Sequence, residues 1–251
     1  MASVNSPDQR GAVYVVAVPI GHPDDLSLRA REILRAVDLV AAEDPKMTQQ
    51  LLKHHRISAT LTGYGPMNVK EKVAVLLQRV RQGAKIALVA DAGSPVIVDP
   101  GALLVAGAYD QGSRVIPIPG PSAIMTALMV AGVACEAFYF LGQLPSTGPH
   151  LTRRVFEAVN REVPTVAYGT HMTAIRALRT LVRLAPKRLV VATCDLTKPN
   201  ETIIRGRASH VSQQLSAIQG EDITIVLSGR TSHRRSVEGT VTKRLRPTVY
   251  R

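Results

Sequence analysis

The chain has 251 residues, a formal net charge of +12, and 45% hydrophobic but only 4% aromatic residues. This length is enough for one large or two small domains, whose cores must be built mainly from aliphatic side chains. No apolar run approaches the ~20 residues of a membrane-spanning helix, and the polar start MASVNSPDQR lacks the pattern of a signal peptide, so we expect a cytoplasmic protein. Cys135 and Cys194 are too few for a disulfide framework or a cysteine zinc site and are predicted to be inert core residues.

The first half of the chain alternates short apolar runs with amphipathic segments. Strands are predicted at residues 12–18, 38–42, 85–90 and 114–118. Helices are predicted from a cap at Asp24 or Asp25, from Pro45, and over residues 69–80, 101–111 and 122–133. Such alternation is typical of α/β proteins.

The second half continues the alternation with different spacing. Strands are predicted at residues 137–141, 165–168, 189–194, 202–205 and 223–227, and helices at 150–160, 172–184 and 208–218. Pro and Gly at 117–121 mark the best domain boundary. We therefore predict an N-terminal α/β domain over 12–121, a C-terminal α/β domain over 122–229 and a basic tail over 230–251.

The tail carries seven Lys or Arg residues against a single acid, Glu238. Such a segment can bind nucleic acid through its phosphates, or it can be a solvated basic tail. The sequence leaves both interpretations open.

Four loops follow strands of the same predicted polarity, and in a parallel sheet they meet at one edge. They are Pro19–Asp25, Glu43–Lys46, Asp91–Gly101 and Pro117–Ser122. The loop DAGSPVIVDPG at Asp91–Gly101 has two acids, two Pro and two Gly, so it cannot continue as a strand or helix. The chain lacks the G-x-G-x-x-G fingerprint and the P-loop, which disfavours NAD binding and NTP hydrolysis by those routes. It also lacks zinc-ligand spacing and the G-x-S-x-G elbow, which disfavours a zinc site and a hydrolase triad.

Six blocks in order carry a resemblance to a known family: VVAVPIGHPDDLSLRA, AAED, LVADAGSPVIVDPG, VIPIPGPSA, FYFLGQLP and GEDITIVLSG. Together they resemble the tetrapyrrole methylase superfamily, and within it the branch that methylates a ribose 2′-hydroxyl of 16S rRNA. The resemblance covers residues 12 to about 229. It implies two α/β domains, a mostly parallel sheet in the first and a mixed sheet in the second, a homodimer, an RNA partner, and S-adenosylmethionine in the interdomain cleft.

The resemblance also implies which residues hold the cofactor. The turn at 93–95 matches the superfamily's G-D-P turn, which places Ser94 and Ile97 against the cofactor. The other residues that it implies are Pro19 near the methionine part, Ser122 and Ala123 at a helix start, and Tyr168 and Ile223 beside the adenine.

A 2′-hydroxyl acceptor must lose its proton during transfer, so a base is expected near the methyl group. The candidate bases are Glu43, Asp44, Asp91 and His22. Structural roles are open for three of them: Asp44 as an N-cap before Pro45, Asp91 as a cap of its own turn, and His22 as a loop or cap residue.

Three segments depart from the branch that the chain resembles. AEDPK, YGPMN and YGTHM stand where that branch has AEDTR, HEHN and ESPHR. The cofactor-side loops are kept, whereas the loops that would face an acceptor are changed. Two alternatives to an rRNA acceptor therefore remain open: a small-molecule or peptide acceptor, and a cofactor-binding protein without catalysis that docks on RNA.

Overall fold

A computed structural model describes residues 11–65, 69–146 and 148–230 of the chain. It has an α/β architecture with two five-stranded sheets, each covered by helices on both faces. Within the described residues, no helix combines the length and hydrophobicity required to span a bilayer.

The first sheet is entirely parallel, with the order β3-β2-β4-β1-β5. Its strands are β1 (Ala12–Val16), β2 (Leu39–Ala42), β3 (Leu61–Gly63), β4 (Lys85–Val89) and β5 (Arg114–Ile118). The helices between them are a short 3₁₀ helix η1 (Pro23–Asp25), α1 (Leu28–Ala36), α2 (Pro45–His54), α3 (Val69–Arg81) and α4 (Ala102–Asp110). Because all strands run in one direction, the loops after β1, β2, β4 and β5 lie at one edge, as predicted.

The second sheet is mixed, with the order β6-β7-β10-β8-β9. Only β6 and β7 pair in parallel, while the other pairs are antiparallel. The strands are β6 (Tyr139–Gln143), β7 (Thr165–Thr170), β8 (Leu189–Cys194), β9 (Thr202–Arg207) and β10 (Asp222–Leu227). The helices are α5 (Ala123–Ala131), α6 (Gly148–Asn160), α7 (His171–Leu184) and α8 (Ala208–Ser216).

Alternation along the strands divides each sheet between two apolar layers. In the first sheet, one face packs on α1 and α2 and the other on α3 and α4. In the second sheet, Val166, Val191 and Val226 pack on α5, whereas Ala167 and Ile225 face the layer of α6, α7 and α8. Helix α5 thus covers the face of the second sheet opposite the other three helices.

Several expected boundaries were wrong for local reasons. Ser27, not Asp24 or Asp25, caps α1, because its hydroxyl accepts the Ala30 N–H at 3.1 Å. Strand β3 was missed because it is short and half-buried, and β6 begins two residues later than predicted. Cys194 is buried as predicted, but Cys135 is exposed.

The domain limits 12–121 and 122–229 remain predictions. Of the predicted basic tail, residues 231–251 lie outside the described residues.

Candidate functional site

A cleft of about 250 Å³ lies between loops of the first sheet and one end of the second sheet, where β7 ends and β10 begins. The first domain lines it with the loops after β1 and β4, and Ser122 and Ala123 at the start of α5 belong to the second domain. The second domain contributes β7, β10 and the residues that flank them. The lining residues outside the predicted set are Ile20, Ala92, Gly93, Gln143, Gly169, Thr170, Leu196, Glu221, Asp222 and Thr224.

The loop after β4 is fastened to its two neighbours. Val18 and Gly93 form an isolated bridge, in which each backbone N–H donates to the other carbonyl at 2.9 and 3.1 Å. Gly93 has φ +73°, and a Cβ there would approach Ile20 Cγ2 to 3.3 Å, so glycine suits both the conformation and the space. The Ser94 hydroxyl donates to the Pro121 carbonyl at 3.4 Å. Three loops are therefore joined at the cleft floor.

Asp99 holds the rest of this loop in an unusual shape. Its Oδ1 accepts the N–H groups of Val96 and Gly101 at 3.2 and 2.5 Å. Val96 and Val98 have φ +78° and +60°, a region that β-branched residues rarely enter. Burial raises the pKa of Asp99 despite these two hydrogen bonds. The strained turn leaves the Ile97 side chain 46% exposed at the cleft. The second half of DAGSPVIVDPG therefore serves to present this side chain to the cleft.

The second domain supplies an aromatic and apolar wall. The Tyr168 ring meets Phe140 edge to face at 5.0 Å between centroids, and burial raises the pKa of the Tyr168 hydroxyl. Ile223 in β10 pairs with Gly169 and is nearly fully buried in the layer of α6, α7 and α8, on the other face of the sheet. Thr170 caps α7 by accepting the Thr173 N–H at 3.3 Å, so the first turn of α7 also borders the cleft.

A buried acid after β8 fixes the wall that faces the first domain. Asp195 is only 2% exposed and accepts hydrogen bonds from the backbone N–H of Asp222, the side chain of Lys198 and the side chain of Asn200 at 3.2, 3.2 and 2.7 Å. Burial opposes its ionisation, but these bonds together lower the pKa of Asp195. The same loop reaches across to the first domain, where Thr197 Oγ1 accepts the His22 N–H at 2.9 Å.

The structure brings six of the seven predicted cofactor residues to this one cleft: Ser94, Ile97, Ser122, Ala123, Tyr168 and Ile223. Pro19, the seventh, lines an adjoining groove of about 420 Å³. The two share Ile20, Ala92 and Asp222, so they form one continuous surface. Sequence reasoning missed Gln143, Thr170 and Asp222, although FYFLGQLP, YGTHM and GEDITIVLSG contain them.

Two of the predicted acids form a linked pair beside the adjoining groove. Asp91 lines that groove, and its Oδ1 accepts the Asp44 N–H at 2.8 Å. The Asp91 N–H in turn approaches Glu43 Oε2 at 3.4 Å. Asp91 therefore bridges the loops after β2 and β4 rather than capping its own turn. Burial raises the pKa of Glu43, and the nearby Asp91 charge raises it further.

The other two candidate bases have local structural roles. Asp44 caps α2, because its Oδ1 accepts the Lys46 N–H at 2.8 Å, and Pro45 occupies the first turn as predicted. His22 Nδ1 accepts the Asp24 N–H at 3.3 Å at the start of η1.

Replacing Asp44 separates its capping role from a catalytic one. We expect Asp44→Ala to lower the free energy of unfolding by about 1 kcal/mol, because an N-cap acceptor is lost, and Asp44→Ser to restore most of it. Urea denaturation measures both variants. Asp44→Ser should keep the wild-type activity, and a folded Asp44→Ser protein without activity would show that the carboxylate itself is needed.

The described residues also place Asp24, His54 and His55 together, with possible ligand atoms within 4.8 Å of one another. No sequence pattern indicated this grouping, because Asp24 lies 30 residues before His54. His54 Nε2 bonds Asp24 Oδ1 at 2.8 Å, and His55 Nε2 bonds the Pro23 carbonyl at 2.8 Å. These bonds tie η1 to the end of α2, and the bond from His54 lowers the pKa of Asp24.

Comparison with known proteins agrees with this architecture. The family model for Tetrapyrrole (Corrin/Porphyrin) Methylases matches residues 12–212. "Ribosomal RNA small subunit methyltransferase I" from Escherichia coli O157:H7 is 39% identical over 198 residues, which cover 78% of this chain and 69% of that protein. The protein of the same name from Thermotoga maritima is 33% identical over 225 residues, which cover 88% of this chain and 99% of that protein.

Two solved structures share the fold at low sequence identity. A cobalamin biosynthetic enzyme, cobalt precorrin-4 methyltransferase, has a TM-score of 0.68 at 15% identity and covers 90% of this chain and 98% of its own. A uroporphyrin-III C-methyltransferase from Thermus thermophilus, complexed with S-adenosylhomocysteine, has a TM-score of 0.62 at 18% identity and covers 86% and 97%. The chain therefore belongs to the tetrapyrrole methylase family of methyltransferases.

Proposed function

We propose that the protein is an S-adenosylmethionine-dependent methyltransferase that methylates a ribose 2′-hydroxyl of small-subunit rRNA in the cytoplasm. The observation that carries the proposal is the match to relatives named as small-subunit rRNA methyltransferases over 78% and 88% of this chain. The cleft supports it, because residues from five of the six sequence blocks that carry the resemblance meet there.

The cleft lining fits the parts of S-adenosylmethionine. Ile97 and the Tyr168 ring offer apolar walls for an adenine, and we place Ile223 next to it. Asp222, whose Oδ2 accepts a hydrogen bond from Lys198 Nζ at 2.7 Å, offers its other carboxylate oxygen to ribose hydroxyls or an ammonium group. Gly93 has no side chain to obstruct the approach of a ligand to its backbone. We assign Ser94, Ser122 and Ala123 to the floor beneath the cofactor and Pro19 to the mouth near its methionine part.

The adjoining groove is the proposed path of the acceptor. The bound cofactor would supply a methyl group already activated on a sulfonium, so the chain has mainly to position the hydroxyl in line with it. Asp91 lines the groove, and Glu43 lies behind it with a raised pKa. We assign removal of the hydroxyl proton to this carboxylate pair, with Glu43 as the proton acceptor and Asp91 as the residue that holds the two loops together.

We also propose that the chain is a homodimer. Met125 and Met129 are one turn apart on α5 and are 51% and 81% exposed. Large apolar side chains that share one face of a helix favour burial against a partner. Sedimentation equilibrium should give twice the monomer mass of 27.0 kDa, and a monomer at micromolar concentration would contradict the proposal.

A deletion strain of the source organism tests the rRNA acceptor. Primer extension on its 16S rRNA at low nucleotide concentration should lose one ribose-methylation stop, and the wild-type gene should restore it. An unchanged ribose pattern would contradict the rRNA acceptor and favour a small-molecule or peptide acceptor.

A further inference from the structure

Helix α7 presents a row of arginines on its outer face. Arg176, Arg179 and Arg183 are all exposed, while Leu178 and Leu181 on the opposite face are buried against the second sheet. The spacing of three and four residues places the three guanidinium groups on one side of the helix, over about 10 Å of its length. Helix α7 contains no Asp or Glu.

Among the described residues, none of these three arginines forms an ion pair. Arg176 donates to the Ser146 carbonyl at 3.1 Å, and Arg183 donates to the Thr180 hydroxyl at 3.4 Å. These partners are neutral, so the positive charges are not compensated. Three like charges on adjacent turns repel one another, which makes the row unfavourable for the free helix and suited to an anionic partner.

Helix α6 extends the basic surface next to α7, against which it packs. His150, Arg153 and Phe156 are exposed at spacings of three residues, and Phe156 is 59% exposed. The acid of this face is Glu157, whose carboxylate pairs with Arg154 and Arg161 at 3.0 and 2.8 Å. Arg153 therefore keeps its charge available beside an exposed aromatic ring.

This surface begins at the cofactor cleft. Gln143 lines the cleft and also a shallow depression on α6 that includes Pro145, His150 and Arg153. Thr170 lines the cleft and is the N-cap of α7. The α6–α7 face therefore borders the cofactor cleft at Gln143 and Thr170, on the side of the second domain.

We propose that this α6–α7 face, made of His150, Arg153, Phe156, Arg176, Arg179 and Arg183, binds the sugar-phosphate backbone of the substrate RNA next to the reacting nucleotide. The inference rests on the proposed rRNA acceptor. The guanidinium groups would contact phosphates, and the Phe156 ring offers a surface on which an unpaired base can stack. The face would supply phosphate contacts that the Lys at position 46 cannot make in the bidentate manner of an Arg.

Neutralising the row tests the inference directly. The variant Arg176→Gln/Arg179→Gln/Arg183→Gln keeps good helix formers and removes three charges. Its control, Lys70→Gln/Arg79→Gln/Arg81→Gln, removes three exposed charges from α3 in the first domain. Filter binding to transcribed 16S rRNA over a range of salt, and calorimetry with S-adenosylhomocysteine, are measured for both variants and for the wild type.

We expect the α7 variant to bind 16S rRNA at least about tenfold more weakly near 0.1 M salt, with the slope of log K against log salt reduced by about two. Its affinity for S-adenosylhomocysteine should equal that of the wild type. The α3 variant should bind both ligands as the wild type does. Equal losses of RNA affinity in the α7 and α3 variants would overturn the inference, because they would show only an effect of net charge.

The two proposals fail in different ways. If the wild type binds and methylates rRNA but the α7 variant keeps its affinity and salt slope, the α6–α7 face is wrong and the acceptor stands. If the wild type binds S-adenosylhomocysteine but not 16S rRNA or the small subunit, the rRNA acceptor itself fails, and the inference falls with it.

Discussion

Replacing Ser94 with Trp is expected to abolish cofactor binding while leaving the fold intact. Ser94 is half-buried at the floor of the cleft, between the Gly93 turn and the loop that precedes α5. An indole at this position has to enter the cleft, because the backbone is fastened on the other side by the Val18–Gly93 bridge. Calorimetry with S-adenosylhomocysteine should show at least about 100-fold weaker binding, equivalent to about 3 kcal/mol.

Ser94→Ala is the matched control for this experiment. It removes the hydroxyl that donates to the Pro121 carbonyl at 3.4 Å but adds no volume, so the affinity should change little. The melting temperatures of both variants should stay close to that of the wild type, since the cleft is open to solvent. Wild-type affinity in a folded Ser94→Trp protein would place the cofactor elsewhere.

The second large effect is expected at Glu43. If its carboxylate accepts the proton of the ribose hydroxyl, Glu43→Gln should lower the rate of methyl transfer by about 10²–10⁴-fold. The affinity for S-adenosylhomocysteine should not change, because Glu43 is not among the residues that line the cofactor cleft. Asp44→Ser, one residue away, is the control and should remain active.

The dependence of the methyl-transfer rate on pH, on the acid side of its profile, is a second measurement that is specific to Glu43. Burial, and then the Asp91 charge, raise the pKa of Glu43, so the wild-type rate should rise with pH through a value above that of an ordinary glutamate. Asp91→Asn should move this limb to lower pH, because it removes the neighbouring negative charge. An unmoved limb in Asp91→Asn would assign it to another group.

Stability should change in the opposite direction to activity. A raised pKa means that folded Glu43 holds its proton more tightly than the unfolded chain does, so its favourable contribution exists at acid pH and is lost as the pH rises through the folded pKa. At neutral pH the ionised side chain opposes folding. Glu43→Gln should therefore melt at or above the wild-type temperature at pH 7, with the difference shrinking toward pH 4.

The part of the site that the sequence could predict belongs to consecutive strand–loop units. Parallel strands with short loops bring the residues after β1, β2, β4 and β5 to one edge by topology alone, which is why these loops were expected to meet. Within them, Ser94 and Ile97 were named from the family resemblance. The strain at Val96 and Val98 could not be foreseen, because it depends on the two N–H groups that Asp99 holds.

The second half of the cleft could be predicted only in part. Strand β10 inserts between β7 and β8, an order that alternation along the chain does not determine. The family resemblance implied a cofactor contact for Tyr168 and Ile223. It assigned no role to Gln143, Thr170 or Asp222. The hydrogen bond from the His22 N–H to Thr197 Oγ1 joins residues 175 positions apart, so no local sequence pattern indicates it.

The roles of Asp44 and Asp91 could also be predicted only in part. The N-cap role of Asp44 was an open alternative because Pro45 follows it, and the structure confirms it. The cap predicted for Asp91 within its own turn was wrong, because its Oδ1 accepts the Asp44 N–H from the loop after β2. The local sequence indicates that acids such as Asp44 and Asp91 accept hydrogen bonds. Only the fold shows which N–H group donates to each of them.

The central claim is that the cleft delivers a methyl group to a ribose of small-subunit rRNA. Its most direct test is incubation of the purified protein with labelled S-adenosylmethionine and unmethylated small ribosomal subunits, followed by mass spectrometry of the nucleosides. The account predicts label in a single 2′-O-methylnucleoside from the 16S rRNA, and none with Ser94→Trp. Label on a base, on a protein or on a small molecule, with none on a ribose, would contradict it.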